Sequence, residues 1–246
     1  MEWSKIKNIL IIALILTDIL LISLLIFSDR ENRHGDNSIS VEDALVVLSK
    51  NDITVSSKIP ETDPEMPVLT LTYDQDNGSF FYTSSETALT LTENTALDLA
   101  NSFISGLNLP QGENNSLQAV NVYPSEDGSG RYIVTFGSYY EDYKLEDSYI
   151  LCYVSSDGVT EMLKNHATAE ISGNSKQEII PAASALLKYM NQLKSADPNS
   201  AKEIIDVSLV YMIDSPYDGN ITSDTAFPTW KITASDNSIT YISAYN

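Results

Sequence analysis

The sequence predicts an α+β protein. One N-terminal transmembrane helix is followed by an extracytoplasmic part of two units, each a helix packed on an antiparallel sheet. Three observations predict it. Residues 6–27 form an almost unbroken apolar run. Beyond it the hydrophobic period switches between about 2 and about 3.6 residues, the signatures of strand and helix. The order hairpin, helix, three strands then occurs twice, which favours helix-on-sheet layers over alternating βαβ units. The chain divides accordingly into a stub (1–5), a transmembrane helix (6–27), a linker (28–37), a first α+β unit (38–142) and a second (143–246).

The apolar run is long enough to span ~33 Å as a helix, about the thickness of a hydrocarbon core. Leu and Ile dominate it, and no Gly or Pro interrupts it. Trp3, Lys5 and Lys7 precede it as interfacial anchors. The run exceeds the apolar core of a cleaved signal peptide, and the following SDRENRHGD lacks a small-residue cleavage pattern. The segment therefore reads as an uncleaved anchor in the cell membrane, crossing once. Basic residues tie across it, with Lys5 and Lys7 before and Arg30 and Arg33 after. A short stub stays inside more readily than a long domain, so the N-terminus is expected in the cytoplasm and the C-terminal part outside.

The linker SDRENRHGDN has no periodicity. Ser40 with Asp43 then opens a short helix, SVEDALVVLSKN, with Ala44, Leu45, Val47 and Leu48 on its apolar side. PVLTLTYD alternates as a strand, and QDNG is the composition that turns a hairpin into SFFYTS. A short strand, ALTL, follows. Thr92 caps the next helix, whose stripe is Ala96, Leu99, Ala100, Phe103, Ile104 and Leu107. LQAVNVYP, RYIVTFGSYY and DSYILCYV read as strands, the last entering a second hairpin, VTEMLKNHATAEI. A third helix carries Ile179, Ile180, Ala183, Leu186, Leu187, Met190 and Leu193 inward, with Pro181 in its first turn. IIDVSLVYMID, AFPTWKITA and SITYISAY are the closing strands.

With 34 acidic against 14 basic residues the net charge is −20, which disfavours nucleic acid and anionic lipid as partners. One cysteine excludes an internal disulfide, so an ordinary core must hold the fold. Two histidines, His34 and His166, and one cysteine cannot make a multi-His or Cys/His metal site. No HExxH, GxSxG or GxxxxGK[ST] occurs, and Ser4 with Lys7 is the sole Ser-x-x-Lys. No catalytic, cofactor or metal residue is therefore assigned, and no small-molecule ligand. Asp74-x-Asp76-x-Gly78 resembles the start of a calcium loop, but position 12 is Ser85 where a bidentate Glu belongs, so DQDNG reads as a turn. Asp214, Asp218 and Asp224 fail likewise. His166 is expected as an exposed strand-end residue, Cys152 as a buried apolar side chain, and Trp230 as sheet packing.

These motifs carry a family resemblance. MEWSKIKNILIIALIL resembles the opening of YycI (WalI) proteins, and LEDSYILCYVSSDGVTEM, EIIPAASALLKYMN, IIDVSLVYMI, FPTWKI and TYISAYN resemble later segments of that family, in the same order. Lys231 stands where the family commonly has Arg. The resemblance implies a membrane-anchored regulator of the WalK–WalR two-component system of low-GC Gram-positive bacteria, which controls cell-wall metabolism. It implies an ectodomain like that of the sister protein YycH, related to PepSY-type modules. The implied partners are a WalK-type sensor histidine kinase and a YycH-type protein, contacted largely through the membrane. No catalytic residues come with it. A tethered binding or inhibitor module of PepSY type, without kinase contact, is the alternative.

Asp18 separates those alternatives. An acid at the centre of a membrane helix costs ~2.5–3.5 kcal/mol on insertion scales, and a passive tether gains nothing from it. A hydrogen bond to a partner helix contributes typically ~0.6 and up to ~1.7 kcal/mol, enough to set partner and register. Ala13 and Thr17 form a small-xxx-small pair beside it. Asp18, Thr17 and Ala13 are thus the expected transmembrane contact, with Asp18 where the family commonly carries Asn.

Overall fold

The computed structural model describes residues 39–60, 65–82, 90–110, 112–173, 176–213 and 222–245. The stub, the apolar run and the linker lie outside these residues. Among the described residues no helix is long and apolar enough to cross a membrane. Residues 40–246 form one contact unit, with mixed helix and sheet.

Helix α1 (Val41–Ser49) starts where the sequence places it. The Ser40 hydroxyl accepts the Asp43 N–H at 3.1 Å and satisfies one of the free donors of the first turn. Ala44 and Leu48 are buried. Strand β1 (Ile53–Val55) follows, then β2 (Glu65–Met66), β3 (Leu69–Tyr73) and β4 (Gly78–Phe81). Helix α2 (Glu93–Gly106) is capped by Thr92, whose hydroxyl accepts the Thr95 N–H. Strands β5 (Asn115–Pro124), β6 (Tyr132–Tyr140), β7 (Tyr143–Ser155) and β8 (Gly158–Asn165) make an antiparallel meander. After β9 (Ala167–Ile171) and β10 (Gln177–Glu178) come α3 (Ala182–Ala196), β11 (Lys202–Ile213), β12 (Ser223–Ala234) and β13 (Ile239–Ser243).

Two apolar cores result. In one, α1 and α3 supply Leu48, Leu186 and Tyr189 against Ile204, Tyr211, Trp230 and Ile232 of the closing strands and Leu69 and Leu71 of β3. Trp230 is 1% exposed and donates its indole N–H to the Ile180 carbonyl at 2.9 Å, so its one polar group is satisfied. In the other core, Ala96 and Ala100 of α2 lie on Val134, Phe136, Ile150, Cys152, Val154 and Met162. Small residues on α2 let the helix approach the sheet closely. Cys152 is buried, as its alternation with Ile150 and Val154 predicts.

The cores do not follow a cut of the chain at 142/143. The first contains α1, β1 and β3 together with β9, α3 and β11 to β13, and the second takes the stretch between. Strand β7 serves both. Leu145 pairs in parallel with Tyr211 of β11 and is buried in the first core, whereas Ile150, Cys152 and Val154 point into the second. Thirteen residues of strand span more length than one sheet needs, so a single long strand joins two sheets into one of eleven strands.

Two local readings are corrected. Strands β3 and β4 do not form a hairpin: β3 lies between β12 and β9, and β4 pairs with β8. The intervening turn is held by side chains of β8 and its continuation rather than by its own strands, and tertiary bonds outweigh local turn composition. Ile179 and Ile180 precede α3 instead of starting it, and Pro181 occupies the N-cap. The residue before a proline is driven out of the helical region, and the Ile180 N–H bonds instead to the Ala244 carbonyl at 2.7 Å.

Candidate functional site

The densest polar construction among the described residues lies where the chain passes between the cores. Lys164 shares the inward phase of β8 with Met162. Its ammonium reaches Asp74 Oδ2 at 2.8 Å and Asp76 Oδ1 at 2.6 Å. His166, between β8 and β9, places Nδ1 3.0 Å from the same Asp74 oxygen. The side chains of Lys164 and Asp74 are 3% and 4% exposed, while that of Asp76 is 71% exposed. His166 is 6% exposed, which corrects the expectation of an exposed strand end. A lysine needs a partner to be buried this deeply, and two carboxylates supply it.

Backbone bonds lock the same place. The Asp74 N–H donates to the His166 carbonyl at 3.0 Å. Asn77 Nδ2 donates to that carbonyl, and the His166 N–H donates to Asn77 Oδ1. The turn after β3 is therefore clasped to the β8–β9 passage from both sides. Burial resists charge on Lys164, but its hydrogen bonds to Asp74 and Asp76 outweigh that and hold its pKa above the ordinary lysine value. The Lys164 hydrogen bond holds Asp76 below the usual carboxylate range. Burial dominates at His166 and lowers its pKa despite Asp74.

The calcium-loop pattern is explained by this geometry. Asp74 and Asp76 do converge on a cation, and the cation is Lys164. Among the described residues no group of three or more His, Cys, Asp or Glu is placed to hold a metal.

Further polar ties surround the junction. Asn115 at the start of β5 donates to the Ala169 carbonyl and accepts the Ala169 N–H, both at 2.8 Å, so its amide mimics a strand beside β9. The Ser148 hydroxyl donates to Ser138 and accepts the Ala167 N–H. On the sheet, Glu146 of β7 accepts from Lys231 at 3.0 Å, from Lys144 at 3.1 Å and from the Tyr241 hydroxyl at 3.2 Å, binding β7 to β12 and β13. Burial raises the pKa of Glu146, yet the two lysines bring it below the ordinary value. The Tyr241 phenol is pushed up to about 12 by burial and by Glu146. A groove of about 400 Å³ opens beside Tyr241, lined by Met212, Phe227, Thr229 and Tyr245.

None of these side chains is a nucleophile paired with a base, and the arrangement suits fixing geometry rather than making bonds. The residues expected to contact a transmembrane partner, Asp18, Thr17 and Ala13, and the anchors Trp3, Lys5 and Lys7 lie outside the described residues. Sequence reasoning missed Lys164 and His166. The available signal was parity: Met162, Lys164 and His166 share one phase of an alternating strand, and Met162 marks that phase as inward.

The YycI protein family profile matches residues 32–245. The chain belongs to the YycI family. This is a family of regulatory accessory proteins of the WalK-type two-component system, and it covers both cores described above. No curated protein sequence matches the chain. A crystal structure of an uncharacterized protein from Eubacterium rectale ATCC 33656 is similar over 67% of this chain, with 15% identity and a TM-score of 0.41. The match spans 57% of that protein's chain.

Proposed function

We propose that this YycI-family chain is a membrane-anchored accessory regulator of a WalK-type sensor histidine kinase, acting beside a YycH-type partner. The family match over residues 32–245 carries this reading. The apolar run 6–27, directly before the matched region, supports a single-pass anchor with the N-terminus in the cytoplasm and residues 38–246 outside. The part outside acts as a non-catalytic scaffold, and the helix makes the contact with kinase and sister protein. Asp18 is the centre of that contact, protonated and hydrogen-bonded to a neighbouring helix, with Ala13 and Thr17 allowing close approach.

The test is a membrane two-hybrid assay of the full chain against the kinase and the YycH-type protein. Asp18→Leu should weaken association severalfold while leaving the amount of protein in the membrane unchanged. An undiminished signal, beside a positive control, refutes the helix contact. If the part outside the membrane alone restores regulation in a deletion strain, the tethered binding module is the correct reading, with the groove beside Tyr241 as its first place to look.

A further inference from the structure

The clasp between Asp74–Asn77 and Lys164–His166 joins two passages of chain from one core to the other. In the closed arrangement neutral His166 uses Nδ1–H as donor to Asp74. The ring borders a cavity of about 30 Å³, lined also by Leu109, Leu117, Ser116 and Ser138. That volume holds about two waters beside the ring.

We infer that this cluster is an acid-responsive latch, in which protonation of His166 releases the turn after β3 from the β8–β9 passage and loosens one core against the other. Burial of the ring, 6% exposed, sets the direction against the charges that face it. The turn contributes Asp74 and Asp76, which attract the extra proton. Strand β8 contributes Lys164, which repels it and already occupies the same Asp74 oxygen. The strands β5, β6 and β7 contribute Asn115, Ser116, Ser138 and Ser148, which carry no charge. Protonation therefore sets two cations on one buried Asp74 oxygen, the second of them on a ring only 6% exposed. Opening hydrates both. Burial favours the neutral ring, and the pKa of His166 is accordingly lowered. The sign follows: the closed clasp is fully favoured above the unfolded value of about 6.5, and it weakens as pH falls from there towards the folded-state pKa. The device is separate from the membrane contact at Asp18, and it gives the part outside the membrane a response to external pH.

The full-length chain in nanodiscs tests this. It has two histidines, His34 and His166, so selective histidine labelling gives two imidazole signals by NMR, and His34→Gln assigns them. His166 should titrate below about 6.5. Amide exchange at residues 74–77 and 165–167, corrected for the intrinsic pH dependence, should rise by up to about tenfold per pH unit below that value. In His166→Gln the rise should flatten. A His166 midpoint at or above the ordinary value, or an equal exchange response in His166→Gln, overturns the latch. Should His166→Gln fail to fold, the wild-type midpoint and the wild-type exchange profile still decide, since both must move in the stated direction.

Discussion

Replacing Lys164 with Met keeps the length of the side chain and removes its charge. The Asp74 side chain, 4% exposed, is then left, among the described residues, with His166 as its side-chain partner, while Asp76, 71% exposed, simply returns to water. Removing one partner of a buried ion pair costs about 3–5 kcal/mol, because the surviving charge is desolvated without compensation. That is a large fraction of the ~5–15 kcal/mol that holds a typical domain together. With a urea m-value of about 3 kcal/mol/M, the midpoint should fall by ~1–1.7 M. The assay is equilibrium unfolding in mild detergent, followed by Trp230 fluorescence in a Trp3→Phe background, since the chain has two tryptophans. Adding Asp74→Asn should recover part of the loss, because a neutral amide tolerates burial better than a lone carboxylate. A midpoint shift under ~0.3 M, or a double variant whose loss equals the sum of the singles, would show that the cluster contributes no coupled stability and refute the reasoning.

Two further outcomes follow from the cores. Trp230→Phe orphans the Ile180 carbonyl, a cost of about 1–3 kcal/mol before any cavity contribution, and should lower Tm by ~2–4 °C for each kcal/mol lost. Circular dichroism measures it, and an unchanged Tm would mean that the indole N–H contributes nothing. Burial pushes the Cys152 thiol up to about 12, so the folded chain should resist alkylation at pH 8 and react once urea opens the second core. Rapid stoichiometric labelling of the folded chain would place Cys152 outside that core.

Much of the fold was legible locally. Ser40 and Thr92 cap α1 and α2 as their side chains dictate. The period-two stretches became β5, β6, β7, β11, β12 and β13, and the phase of Ile150, Cys152 and Val154 gave their burial. Periodicity states which face of an element is apolar, and it is silent on which core receives that face. That is why β3 and β4, adjacent in sequence and joined by good turn residues, pair with different strands far apart in the one sheet. The candidate site was hidden for the same reason. Lys164 meets Asp76 across 88 residues and His166 meets Asp74 across 92, and no local pattern encodes such pairs.

The sequence by itself determined the apolar run with Asp18, the acidic charge, the caps, the strand phases and the family resemblance, because each depends on composition, order or spacing within a few residues. The tertiary structure alone decided that β7 joins two cores, that β1 and β3 belong with the closing strands, and that a lysine takes the place of an ion between Asp74 and Asp76. Those outcomes rest on which distant surfaces bury one another with their polar groups satisfied, a condition on the whole chain that no short stretch of it contains.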